Sequence, residues 1–281
     1  MAEALFFPKE DVAKLEPYLP AIDATLLVGQ KPFVTLTFAT SLDSSLSLAP
    51  GVRTALSGPQ SKAMTHYLRS RHDAICVGVG TAVADDPGLN CRIADDTDGA
   101  ASVSAHQPRP IVIDPHDRWP LAHESRVLAT ARRGQGLAPY IVTAVQQPDA
   151  AKQKLLESHG GKYIILSTVH GSAATATAPP EPSDRFRWDD VLDSVASHGL
   201  RSIMIEGGGN IINTLLEPTN THLVRSVIVT IAPVWLGRGG VMVSPNRVHG
   251  ADNRAVPAAR LADVKWQQLG EDVVLCGRFN R

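Results

Sequence analysis

Arg201-Ser-Ile-Met-Ile-Glu-Gly-Gly-Gly-Asn-Ile-Ile-Asn-Thr-Leu-Leu-Glu217 is the stretch on which the reading of this chain turns. Ile203, Met204 and Ile205 make a short apolar run of strand type, and Gly207, Gly208 and Gly209 follow it. Ile211, Ile212, Leu215 and Leu216 then recur at the spacing of one helix face. Strand, glycine turn and helix are the parts of a phosphate cradle. Glycine lets the backbone come close to a ligand, and the first helical turn offers unpaired N–H groups at the positive end of the helix dipole. Asn210 is placed as the N-cap. A plain bend between strand and helix is the competing account of a lone glycine triplet. Glu206 favours the cradle, because it stands where a strand ends, and open α/β sheets bind ligands there.

Going back from this stretch, residues 189–198 predict a helix closed by Gly199, and 171–182, rich in Ala, Thr and Pro, predict a flexible surface insertion. Residues 162–166 read as a strand and 148–159 as a helix. Strands are expected at 110–114 and, on weaker signals, at 126–129 and 140–144. Asp73 opens a strand that passes into a glycine loop ending at Thr81. Pro59, with Ser57 or Gly58 before it, suits the first turn of a helix reaching about His72, with Met64, Tyr67 and Leu68 as its apolar face. Residues 32–39 predict a strand and 11–18 a short helix. Going forward, 223–232 is a strand, 237–245 a glycine-rich turn, and 261–269 with 272–279 an antiparallel hairpin around Gly270-Glu271. Helices alternate with strands early and the end is all strand. The fold class is therefore α/β, a mainly parallel sheet flanked by helices with an antiparallel C-terminal edge. One domain is expected over 1–281, with a core at 30–281 and an N-terminal extension at 1–29.

With 281 residues, 43% of them hydrophobic, the chain can bury a sizeable core. Its net charge of −1, without a basic stripe, gives nucleic-acid binding no electrostatic support. Cys76, Cys91 and Cys276 share no CxxC spacing, which suggests a reducing compartment and neither a disulfide framework nor a zinc site. No signal-peptide pattern opens the chain, and no run approaches the ~18 apolar residues of a membrane span. A soluble cytoplasmic protein without a metal is expected.

A second glycine segment, Gly78-Val79-Gly80-Thr81, also follows a strand. Two such loops suit a long ligand carrying several phosphates and hydroxyls. Neither is a GxGxxG or a GxxxxGK[ST] motif, and no GxSxG occurs. Asp85-Asp86 is a paired carboxylate without nearby partners at metal-ligand spacing; it suits a general acid, or the cap of the turn before Pro87. Arg69 and Arg92 are candidate phosphate ligands, because a guanidinium fork binds phosphate in bidentate fashion; a solvated surface charge is the alternative for each. His66 and His72, on the helix, are read as surface or packing residues.

Taken in order, Phe33-Val-Thr-Leu, Ser41-Leu42-Asp43, Ser57-Gly58-Pro59, Leu68-Arg69, Asp73-Ala-Ile, Val77-Gly78-Val79-Gly80-Thr81, Ala84-Asp85-Asp86-Pro87, Leu89, Arg92, Arg109-Pro-Ile-Val-Ile-Asp114 and Ile205-Glu206-Gly207-Gly208-Gly209 resemble the pyrimidine reductases of riboflavin biosynthesis, whose fold is similar to that of dihydrofolate reductase. The resemblance runs from about Lys31 to Phe279, and the joined Gly-Thr, Asp-Asp-Pro, Leu, Arg segment is its most specific part. It implies an NADPH-dependent reduction that turns the ribosyl group of a phosphorylated aminopyrimidine into a ribityl chain, with hydride passing to the ribose C1′. The HxE and PCxxC motifs of a fused zinc deaminase are missing. The chain therefore resembles the stand-alone reductases of fungi and archaea, which act on the 2,5-diamino-6-ribosylamino-pyrimidinone 5′-phosphate before deamination. The alternatives are a reductase of the deaminated pyrimidine, or a pterin or folate reductase on the same fold.

The resemblance further implies that Thr81, Asp85, Gly207, Gly208, Gly209, Asn210 and Ile211 contact the cofactor, and Ala39 through its backbone. Arg69, Leu89, Arg92 and Glu206 face the substrate, and the chain forms a homodimer. The catalytic proton donor is not assigned. Ser44 stands where the family has Gly after Ser-Leu-Asp, and Pro115 where a small polar residue is common. No acidic residue of the kind that selects NAD lies about 20 positions past Gly209. Arg132-Arg133, following the strand expected at 126–129, is either a contact for the 2′-phosphate of NADPH or a solvated basic pair.

Overall fold

The computed structural model describes residues 4–22, 29–94, 106–170, 184–250 and 252–280. Along the chain the helices are α1 Lys9–Leu15, α2 Pro59–Ser70, α3 Val79–Asp85, α4 Arg126–Arg132, α5 Ala150–Ser158, α6 Trp188–Ser197 and α7 Gly209–Leu215. The strands are β1 Phe33–Thr40, β2 Ser45–Ser47, β3 Ala74–Gly78, β4 Arg109–Ile113, β5 Tyr140–Thr143, β6 Lys162–Ile165, β7 Val169–His170, β8 Asp184–Arg185, β9 Ser202–Gly207, β10 Ser226–Ile231, β11 Val241–Met242, β12 Val248–His249, β13 Ala255–Val256, β14 Leu261–Leu269 and β15 Asp272–Phe279.

Nine strands form one sheet in the order β14-β15-β10-β1-β9-β3-β4-β5-β6. The seven from β10 to β6 run parallel, and β15 and β14 add the antiparallel edge. This is the architecture that the alternation of elements predicts. The central strands are buried along nearly their whole length, and successive side chains enter the cores on opposite faces of the sheet. On β3, Ala74 and Cys76 join Ile203, Ile205, Val191, Leu192 and Ile212 under α6 and α7. Ile75 and Val77 face the other way, among Val79, Ala82, Leu89 and Leu128 under α3 and α4. Further along that second face, Met204 and Ile228 meet Met64 and Leu68 of α2. Each such fully buried aliphatic side chain contributes roughly 1.5–3 kcal/mol.

Local chemistry explains several boundaries. Pro59 fills the first turn of α2 after Gly58, whose N–H donates to the Asp272 carboxylate at 2.8 Å, so the end of the sheet caps the helix. Asp149 caps α5 through the Lys152 N–H at 2.8 Å. Gly199, at φ +75°, ends α6, and Gly270, at φ +64°, turns the last hairpin. Ser44 adopts φ +62°, a left-handed conformation that glycine enters at less cost.

Four expectations change. Residues 126–129 are not a strand but the first turns of α4, whose first N–H donates to Asp86 at 3.0 and 3.2 Å. The glycine loop at 78–81 is no loop: Gly78 ends β3 and α3 begins at Val79. The turn at 237–245 contains β11, which pairs with β2. The segment read as an extension is tied into the core, with Phe7, Leu15, Tyr18 and Leu19 packed against α2 and β15. The 171–182 insertion lies outside the described residues.

Candidate active site

The chain passes from β1 through α2 to β3, steps outward to β6, and returns through α6 to place β9 between β1 and β3. It then crosses β1 through α7 to reach β10. Strand order therefore reverses around β9, and its C-terminal end opens on the crevice that such a reversal leaves.

Backbone crowds this end. Gly207 closes β9 at φ +110°, and a Cβ there would come within 2.7 Å of Ile212 Cδ1. Gly208 is the N-cap of α7, and its Cβ would lie 3.2 Å from Thr81 Oγ1. Gly209 begins α7, with the room for a Cβ taken by Val241 Cγ1. A Cβ on Gly78 would meet Ile211 Cδ1 at 3.2 Å and lie 3.8 Å from the Gly208 nitrogen. The two glycine segments thus meet, as neighbouring strand ends. Asn210 is not the N-cap; that role falls to Gly208, and Asn210 sits exposed inside the first turn. Ile211 packs against the core, so its side chain is structural. Ala39 lies three residues past the last β1–β9 pair, Leu36 with Ile205, level with the glycine turn.

Asp85 and Asp86 separate into two roles. Asp86, at φ +38°, turns the chain and caps α4. Asp85 ends α3 with one carboxylate oxygen buried and without a hydrogen-bond partner, and burial raises its pKa against the field of Arg53. An orphaned acceptor beside Thr81 and the glycine turn fits the donor groups of a nucleotide cofactor.

On the same face as α2, Arg69 donates to Glu206 through Nε at 2.9 Å and Nη2 at 2.8 Å, and through Nη1 to the Asn90 carbonyl at 3.1 Å. The pair is largely shielded from water, with side chains 14% and 19% exposed. Arg92 is different. No carboxylate among the described residues pairs with it; His66 lies against it instead, and burial together with Arg69 and Arg126 lowers its pKa. Leu89 does not join this group: it is buried in the core under α3 and α4, at φ +51°.

Arg132 and Arg133 stand elsewhere. They end α4, where Arg132 donates to the His123 carbonyl at 2.8 Å and lies beside His159 at the end of α5, and Arg133 donates to Gln135 at 3.0 Å. His159 leads into the start of β6, so Arg132 lies at the edge where the parallel strands begin, opposite the glycine turn. The 2′-phosphate contact inferred from a strand at 126–129 loses its basis. A surface hollow of about 460 Å³ between Phe33, Arg225, Asp263 and Arg278 lies at that same beginning edge and shares no residue with the site.

Sequence reasoning left His66 on the surface or in packing, and it is buried. Its link to Arg92 was missed, although its position three residues before Arg69 on one helix face was the available signal. Among the described residues no helix is long and apolar enough to cross a membrane.

Comparison with known proteins gives a consistent result. Residues 32–275 match the family described as RibD C-terminal domain. A Debaryomyces hansenii protein named 2,5-diamino-6-ribosylamino-4(3H)-pyrimidinone 5′-phosphate reductase is 38% identical over 266 residues, covering 94% of each chain. The Saccharomyces cerevisiae protein of the same name is 36% identical, over 88% of this chain and 87% of its own. A solved structure of the Saccharomyces cerevisiae riboflavin biosynthesis reductase Rib7 superposes with a TM-score of 0.72 at 32% identity, over 97% of this chain and all of that one. Acinetobacter baumannii RibD, at 20% identity and a TM-score of 0.63, shares the fold over 59% of its length. The chain belongs to the RibD C-terminal domain family.

Proposed function

We propose that the chain reduces 2,5-diamino-6-ribosylamino-4(3H)-pyrimidinone 5′-phosphate to its ribitylamino product in riboflavin biosynthesis, using NADPH. The observation that carries this is the near full-length likeness to reductases of that name, 94% of both chains in the Debaryomyces hansenii case. The deaminated pyrimidine and a pterin are the rival substrates, and the relatives that are 35–38% identical are named for the diamino compound.

When bound, NADPH supplies the hydride that goes to the ribose C1′. The chain's part is to bind and orient. Gly207, Gly208 and Gly209 leave the end of β9 bare, so that backbone N–H groups at the start of α7 can meet a diphosphate. Thr81 and Asp85, with the main chain of Ala39, Asn210 and Ile211, line the same side, and Asp85 has an acceptor to spare. Glu206 accepts hydrogen bonds from ribose hydroxyls or an amino group, and Arg69 holds its carboxylate in one orientation. Arg92, which meets no carboxylate among the described residues, takes the 5′-phosphate. Three buried cysteines suit a cytoplasmic protein, and the family resemblance supports a homodimer.

The test is the oxidation of NADPH by the purified protein with the diamino and the deaminated pyrimidine side by side, with a dihydropterin as a third arm. Turnover should be fastest with the diamino compound. Faster turnover of either rival, or none with any, contradicts the proposal.

A further inference from the structure

The side chain of His66 faces Arg92 and the main chain of Asn90. Its Nδ1 accepts the Arg92 main-chain N–H at 3.1 Å, and its Nε2 lies 3.0 Å from Arg92 Nη2. A neutral imidazole has one acceptor nitrogen. With Nδ1 accepting, the proton sits on Nε2 and points at a guanidinium nitrogen that can only donate. The ring therefore fixes the backbone of Arg92 and abuts its guanidinium without satisfying it.

The rest of the segment is held from both sides. The Arg92 carbonyl accepts the Leu5 N–H at 2.8 Å, and the Ala94 N–H donates to the Leu5 carbonyl at 2.8 Å. Cys91 Sγ donates to the His66 carbonyl at 3.2 Å, and Arg69 grips the Asn90 carbonyl. A carboxylate in place of His66 would accept from the same N–H, but it would also neutralise Arg92 and compete with an incoming anion. Protonation, which would remove the acceptor, is opposed by burial and by Arg69, Arg92 and Lys62, which together push the ring down to about 2.

We infer that His66 is a positioning residue for substrate phosphate: it anchors Arg92 while leaving the arginine's charge uncompensated for the ligand. The inference rests on the reading that Arg92 takes the 5′-phosphate. It adds that a neutral acceptor at position 66 is required for phosphate discrimination.

The experiment compares the wild type with His66→Ala, His66→Gln and Arg92→Ala on phosphorylated and dephosphorylated substrate. His66→Ala should raise KM for the phosphorylated substrate roughly tenfold while kcat and KM for the dephosphorylated one stay within about twofold. His66→Gln, whose amide oxygen can accept the Arg92 N–H, should recover most of the loss. A KM that rises equally for both substrates, or no rescue by Gln, overturns the inference; if Arg92→Ala still abolishes discrimination, the phosphate reading stands without it. Intact discrimination in Arg92→Ala overturns both. A second measurement needs no variant: in wild-type protein carrying 15N-labelled histidine, the His66 ring nitrogens should shift on addition of inorganic phosphate. No shift at saturating phosphate contradicts the inference.

Discussion

Arg69 and Arg92 reach the same face of the sheet and look interchangeable in the sequence, yet their surroundings divide them. Arg69 spends one edge of its guanidinium, Nε and Nη2, on Glu206 and its remaining nitrogen, Nη1, on the Asn90 carbonyl. Arg92 has a neutral imidazole where Arg69 has a carboxylate. An arginine with a counter-charge orients its partner, whereas one without is a standing attraction for an anion. In the proposed function the first therefore holds Glu206 and the second takes the phosphate.

The division requires that the cofactor be bound independently of both arginines, and Gly208 tests this with the largest expected effect. Gly208 has φ −70°, an ordinary value for any residue, and the space beside it is limited by Thr81. Gly208→Val should fold, yet lose NADPH affinity by roughly a hundredfold or more, since branched carbons occupy the diphosphate's place. Titration calorimetry with NADPH measures it, and wild-type affinity in the folded variant would refute the cradle. Gly207→Ala should behave differently, losing stability itself because of its φ of +110° and the contact with Ile212.

The next effect concerns the pair. Glu206→Gln removes the charge that Arg69 is built to meet, and should lower stability by about 2 kcal/mol, most of it restored in the double variant with Arg69→Met. Denaturant unfolding of the two single variants and the double gives the coupling. Additive losses would mean that Arg69 and Glu206 are not a unit, and the contrast with Arg92 would disappear.

Much of this was legible in the sequence and some of it could not be. The strand–glycine–helix run at 201–217, the proline start of α2 and the closing hairpin are local signals, and they became β9 with α7, α2, and β14 with β15. The stretch at 126–129 misled because two adjacent apolar residues, Val127 and Leu128, fit either period. What decides for a helix there is the cap from Asp86, which is remote in sequence. The insertion of β9 between β1 and β3, and the short β2–β11 ladder, depend on pairings that no local window contains. The place of Glu206 and the glycines at a strand end was legible, and they stand at the end of β9 and the start of α7. That Arg69 meets a carboxylate while Arg92, among the described residues, meets His66 instead depends on which residues the fold brings opposite them.

A smaller effect comes from acid. His66 and His72 are buried neutral, held at about 2 and about 4. His72 donates from Nδ1 to the Leu68 carbonyl and accepts at Nε2 from Thr35, whose hydroxyl accepts from Ser226. Both folded-state values lie below the ordinary 6.5, so the unfolded chain binds more protons as pH falls from 6.5 toward about 4, and stability falls with it. Asp85, with its pKa raised by burial, opposes this as one group against two. Tm should drop between about pH 7 and about pH 5, and His66→Gln should flatten part of the drop. An unchanged slope in that variant would mean that His66 is protonated in the fold, and the neutral anchor beside Arg92 would be lost.

The most direct test of the division is the ratio of kcat/KM for phosphorylated over dephosphorylated substrate, measured in the wild type, Arg92→Ala and Arg69→Ala. Arg92→Ala should lower that ratio by roughly ten- to a hundredfold, as expected for loss of a charge-assisted phosphate contact. Arg69→Ala should lower turnover of both substrates together and leave the ratio near its wild-type value. A ratio that collapses in Arg69→Ala and survives in Arg92→Ala would contradict the assignment.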